Sequence, residues 1–152
     1  VLIVVLIMGV LGSIAIREMR DYSRRARVSE VILATNECKN TVGEGYLTRD
    51  EPPAPGAWGC ESATARTAFV GSVQTSPNGV IRVAVANVDG FLNGHYVYLV
   101  PSRSEGFPLA TPNDLGNGVR YWSCGSDFAL LRKVLPANCR SDTSLQSTED
   151  FG

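Results

Sequence analysis

The chain has 152 residues, 44% of them hydrophobic and 19% charged, with a formal net charge of −1. This is the composition of a folded protein, and its length suits one domain of ordinary size plus an appendage. Near-zero charge and a pI of about 5.8 exclude a bulk electrostatic pull toward nucleic acid or acidic membranes. The four cysteines, an even number, fit two disulfides formed in an oxidising compartment. Three pairings are open, and the spacings favour Cys38 with Cys60 and Cys124 with Cys139, closing two local loops. Each loop would stabilise the fold by roughly 3 kcal/mol through lost unfolded-state entropy. Zinc is the weaker reading, because there is no Cys-x-x-Cys and the one histidine is His95.

Residues 1–16 carry no charge, and the next eleven contain Arg17, Arg20, Arg24, Arg25 and Arg27. As a helix the apolar stretch would be about 24 Å long, short of the ~20 residues a bilayer crossing needs. No basic region precedes it and no Ala-x-Ala cleavage pattern follows it, which disfavours a secretory signal. It is apolar on all sides, so it does not read as a helix half-buried in a soluble core. The expectation is a membrane helix that the chain enters part-way along.

No proline occurs before Pro52, so the pattern predicts one continuous helix of some 40 residues, ending near Gly43 and Gly45. At 100° per residue, Val28, Val31, Ile32, Thr35, Cys38, Val42 and Tyr46 form one stripe, which a packed domain would cover. A second stripe of Met19, Tyr22, Ala26, Ser29 and Leu33 lies nearly opposite. Scattered exposed apolar residues are ordinary on a surface. Two apolar faces on one helix, however, read as one for the domain and one for other chains. Arg17, Arg20, Arg24 and Arg27 share a side, and the plainest expectation is that they mark the water boundary of the rod, with Glu18, Asp21 and Glu30 nearby. Binding of nucleic acid or anionic lipid is the alternative, weakened by those interleaved acids.

Beyond residue 48 the period changes. A Pro-rich loop occupies 48–66, and four strands follow within about 67–124: Thr67–Thr75, Val80–Val88, His95–Val100 and Val119–Cys124. Ser76-Pro77-Asn78-Gly79 is a turn between the first two, and 101–118 reads as turn-rich. Short connections make this an antiparallel meander, so the predicted class is α+β, with the long helix packed on a four-stranded sheet. Residues 124–139 should form a closed loop at the sheet edge, and the Ser/Thr-rich tail from Arg140 to Gly152 a mobile end. The expected division is a rod, 1–22, and a head, 23–152, that includes the second half of the helix.

Little here supports catalysis. A serine triad would have to use His95, which alternates with Val97 and Leu99 and reads as a half-buried structural residue. The glycines lie in turns, with no strand–GxGxxG–helix context and no Walker motif. No enzymatic activity, metal, cofactor or small-molecule substrate is expected.

Taken together, the stretch Val1 to Ile16, the continuation Asp21-Tyr22 with Arg27-Val28-Ser29-Glu30, and the segments Tyr121-Trp122-Ser123-Cys124 and Leu135-Pro136-Ala137-Asn138-Cys139-Arg140 resemble the type IV pilins, most of all the type IVa major pilins of Gram-negative bacteria. The resemblance covers nearly the whole chain. It implies that the family's mature start, Phe-Thr-Leu-Ile-Glu with an N-methylated phenylalanine, precedes Val1. With it the apolar stretch reaches about 21 residues and spans a bilayer. The glutamate that pairs with a neighbour's amino terminus then has no counterpart among these residues, and Glu18 does not take that role. The family commonly has proline where Arg17 stands, so here Gly9 and Gly12 are the candidate points of helix melting, each weakening the helix by roughly 1 kcal/mol relative to Ala.

What the resemblance implies for function is a structural subunit that polymerises through its rod. Val1, Leu2, Val4, Val5, Leu6, Ile7, Met8, Val10, Leu11, Ile14, Ile16 and Tyr22 would pack the filament core, and Val28, Val31, Ile32 and Val42 would hold helix to sheet. Its partners would be copies of itself in a helical homopolymer, the inner membrane before assembly, the pilus assembly machinery, and a host surface or DNA. The head would be periplasmic before assembly and extracellular in the pilus, serving adhesion, twitching motility and DNA uptake. A minor pilin or type II secretion pseudopilin is the alternative, though pseudopilins with a calcium site carry clustered acids that this chain lacks. A membrane-anchored binding module that never polymerises is the reading from a different class.

Overall fold

The computed structural model describes residues 1–152. Helix α1 runs unbroken over Leu2–Thr48, 47 residues and about 70 Å long. Every residue up to Tyr22 is exposed; the second half lies across a sheet. The strands are β1 (Val70–Thr75), β2 (Ile81–Val85), β3 (Tyr96–Ser104), β4 (Phe107–Pro108), β5 (Tyr121–Ser126) and β6 (Ser141–Asp142). Their order is β1-β2-β3-β5-β6, with β4 paired to β3, and every pairing is antiparallel except β5 with β6. A short helix α2 (Ala129–Val134) sits inside the last disulfide loop. The α+β class and the central meander are as the periodicity predicts, but the sheet has six strands, not four. β3 runs on through 101–104 and turns into β4 where the composition reads as turn-rich, and β6 is a two-residue strand too short to leave a pattern.

The core forms where the two periodicities meet. Val28, Val31, Thr35, Cys38, Val42 and Tyr46 on α1 are buried, with Ile32 half-buried beside them. They pack on Val73, Ile81, Val83, Val97 and Leu99, which alternate along β1, β2 and β3. The Cys38–Cys60 and Cys124–Cys139 disulfides close loops of 22 and 15 residues. The first ties the loop after α1 back to the helix; the second holds α2 against β5.

The helix does not stop at Gly43 and Gly45 but continues to Thr48. Gly45 is there for close approach: a Cβ on it would lie 2.6 Å from a ring carbon of Trp58. The Trp58 indole fills that space, stacking on Tyr46 at 5.5 Å and donating its Nε1–H to the Ser76 carbonyl at 2.8 Å. The Tyr46 hydroxyl donates to the Asn78 carbonyl at 2.6 Å. Burial, and after it the Asp114 and Glu149 carboxylates, push the Tyr46 pKa far above the ordinary 10.0, so it stays a donor.

Nor is the tail mobile. It climbs the outer face of the sheet, where Phe151 is buried beside Tyr98, Val80 and Val100. The Arg82 guanidinium lies between the rings of Tyr96 and Phe151, 4.5 and 4.0 Å away. The Ser76 hydroxyl donates to the Glu149 carboxylate. A single aromatic anchor outweighs a Ser/Thr-rich composition.

Glu61 clamps the loop to the sheet, accepting the backbone N–H groups of Trp58 at 2.7 Å and Gly59 at 2.8 Å and the hydroxyl of Thr75. Partial burial pushes its pKa up, but these hydrogen bonds to the charged form outweigh it and leave it below the ordinary 4.5.

Gly43 has open space around it, so Gly43→Ala should stabilise the protein by up to about 1 kcal/mol. Gly45→Ala should instead destabilise it by about 1–3 kcal/mol, because the Trp58 ring must move; thermal melts that rank the two variants alike would contradict this packing. The lowered Glu61 pKa also sets a sign. Its contribution is complete above 4.5, the ordinary value, and is lost as pH falls through the lower folded value. Denaturant titrations from neutral pH to about pH 3 should therefore show a steeper acid loss in the parent than in Glu61→Gln.

Candidate filament-forming surface

Every large apolar side chain from Val1 to Ile16 is more than half exposed, with values of 53–105%. This covers Val1, Leu2, Val4, Val5, Leu6, Ile7, Met8, Val10, Leu11, Ile14 and Ile16, and Tyr22 below them is 78% exposed. An 18-residue window of the helix reaches a mean hydropathy of 2.1 with none of it buried. By length and composition the helix is able to cross a membrane. Gly9 and Gly12 lie within the helix in open space, and the ladder continues past them and through Arg17. The Ser13 hydroxyl donates back to the Val10 carbonyl at 2.8 Å. The second stripe, Met19, Tyr22, Ala26, Ser29 and Leu33, is exposed along its whole length, while the first is covered by the sheet. An apolar rod and an apolar stripe thus form one continuous uncovered surface.

The arginines below the rod divide between two tasks. Arg24 pairs with Asp89 at 2.5 Å and with Asp21 at 3.5 Å. Arg27 donates to the Val88 carbonyl at 3.3 Å and lies over the Phe69 ring at 5.6 Å. Both therefore fasten α1 to the turn after β2, where water-boundary residues were expected. Asp89 and Val88 lie some sixty residues further on, beyond the reach of any local pattern; Asp89-Gly90 reads in sequence only as a turn. The Asp89 carboxyl is held below its ordinary 3.8, first by the Phe91 backbone N–H and then by Arg24. Arg17, Arg20 and Arg25 make no ion pair, and neither does Glu18. His95 stacks face to face on Phe128, with ring centroids 3.6 Å apart, at the foot of β3.

A chain with this geometry has an interior for its head and none for its rod. The comparisons agree with that design. Residues 24–140 match the family described as pilin, a bacterial filament protein. The chain belongs to the pilin family. It is 30% identical to a fimbrial protein of Neisseria meningitidis serogroup A over 94% of this chain and 91% of that one. It is 28% identical to the type IV major pilin protein PilE of Neisseria gonorrhoeae, over 93% and 90%. A fimbrial protein of Neisseria meningitidis serogroup B is 34% identical over 82% of this chain and 68% of that one. This pilin is accordingly a structural subunit of a pilus filament, and the apolar part of its long helix is left uncovered.

The buried helix residues begin at Val28, so the pilin's core does not depend on the rod. A fragment starting at Asp21 should fold with both disulfides and run as a soluble monomer in size-exclusion chromatography with light scattering. Filaments or large oligomers of that fragment would show that assembly does not depend on the rod.

Proposed function

We propose that this pilin is the major subunit of a type IV pilus and that its uncharged rod, 1–22, is the element that polymerises while the head, 23–152, decorates the outside. The observation that carries this reading is an apolar rod with no cover in its own chain, joined without a break to a disulfide-closed head. Before assembly the rod lies in the inner membrane and the head in the periplasm, where the disulfides form. Delivered by the assembly machinery, the rod leaves lipid for a bundle of identical rods, which is equally dry. Twelve large apolar side chains between Val1 and Ile16 are available for burial. At about 1.5–3 kcal/mol for each one fully buried, the gain reaches the order of tens of kcal/mol before entropy is subtracted. Gly9 and Gly12 are where the rod is weakest as a helix, and Met19 and Tyr22 extend the packed surface down the second stripe.

The filament would serve attachment to a host surface, twitching motility and DNA uptake. The names of two relatives, type IV major pilin protein and fimbrial protein, favour a major subunit over a minor pilin or secretion pseudopilin. An anchored module that never polymerises has no use for the second exposed stripe.

Placing a charge in the rod tests this directly. Val5→Glu and Ile7→Glu should each remove filaments from sheared cell-surface preparations, since an unpaired charge in the rod bundle costs several kcal/mol. The head of each variant should keep its thermal stability. Pili of normal number and length from either variant would overturn the burial mechanism, and sheared filaments built mainly of another protein would make this a minor subunit.

A further inference from the structure

The two ends of the head differ in a way the rod does not require. At the rod-proximal end a groove of about 330 Å3 opens between α1, the turn after β2, and α2. Phe91 and Leu130 are exposed on its walls, at 76% and 47%. Its lining holds three cations and two carboxylates: Arg24 pairs with both Asp21 and Asp89, while Arg25 and Lys133 have no ion-pair partner. The groove is therefore apolar with net positive charge.

At the opposite end is the tip of the β3–β4 hairpin. Phe107 is 68% exposed, and Glu105 stands beside it with no ion pair. Gly106, at a φ of +77°, makes the tight turn between them. β3 begins beside the groove at Tyr96 and ends at the tip with Ser104, so the nine-residue strand sets them roughly 30 Å apart. A knob with an acid at one end and a basic groove at the other are complementary, but one copy cannot join its own two ends. An open, head-to-tail helical polymer needs such a pair of unlike surfaces.

We infer that the Glu105–Gly106–Phe107 tip of one pilin seats in the groove of the next copy above it, Phe107 against Phe91 and Leu130, Glu105 between Arg25 and Lys133. This contact rests on the filament reading and adds to it a second interface, outside the rod bundle, that fixes how heads stack. Its electrostatic part faces solvent at the rim, so it is screened by salt.

Charge reversal with rescue is the test, on full-length pilin in sheared filaments. Lys133→Glu and Glu105→Lys should each raise the soluble subunit released at a fixed temperature by about tenfold, because each sets like charges together. The double variant, Glu105→Lys with Lys133→Glu, should return release to within about twofold of the parent. The increase caused by either single variant should shrink in high salt. Single variants that release no more than the parent, or a double variant that releases as much as the worse single, overturn the contact. A parent chain that forms no filaments sinks the filament reading itself, a distinct result.

Discussion

One helix is buried along a face of its second half and bare over its apolar first half. Over its second half, residues every three or four positions from Val28 to Tyr46 meet the sheet, and every residue up to Tyr22 is exposed. The chain cannot fold back to cover the rod, because a 47-residue helix is about 70 Å long and the sheet beneath it is built of strands of nine residues or fewer. The uncovered half is apolar on every side, so water is its worst environment. Lipid and a bundle of like rods are the two alternatives that leave its backbone hydrogen bonds intact. In the proposed function, membrane anchoring and polymerisation are two answers to this single problem of solvation.

For the rod to be presented in one direction, the head must hold α1 rigidly at both ends of their contact. At the rod-proximal end Arg24 and Arg27 grip the turn after β2 through Asp89, Val88 and Phe69. At the distal end Trp58 lies in the gap left by Gly45, Tyr46 reaches Asn78, and Cys38 is bonded to Cys60. These contacts involve the loop after the helix as much as the sheet. That explains why a segment of prolines and glycines is closely packed around Trp58 and Cys60, both of them buried.

How much of this is legible in the sequence depends on the range over which its causes act. The helix, its two stripes, the alternation of Ile81, Val83 and Val85, and the Ser76–Gly79 turn all follow from neighbours a few residues apart, and the pattern reveals them. Gly45 misleads because a glycine that ends a helix and one that admits an indole ring look identical in one dimension; only the position of Trp58 tells them apart. The tail misleads because Phe151 acts through Arg82 and Tyr98, far away in the chain, while its composition is that of a loose end. The rod was the most legible feature of all, since an uncharged run needs no partner to be recognised. The Arg24–Asp89 clamp was invisible for the opposite reason: half of it is an ordinary turn aspartate.

The remaining question for a filament protein is what keeps its sheet from polymerising, so that the rod can be the proposed route. An exposed strand edge is a ready template for adding further chains. Here the β5 edge is occupied by β6, delivered there by the chain that leaves the Cys124–Cys139 loop. The β1 edge is met by Ser62, whose backbone exchanges hydrogen bonds with Val73 at 2.8 and 2.9 Å, and by Thr67 at Val70. Both disulfides therefore lie next to the segments that close an edge: Cys60 two residues before Ser62, and Cys139 two residues before Ser141. Beyond stabilising the head, the cross-links fix the strips of backbone that keep the sheet from recruiting partners. Assembly is left to surfaces that are apolar side chain, not bare backbone. On the proposed function such surfaces become available when the rod leaves the membrane, whereas an open sheet edge would be available from the moment of folding.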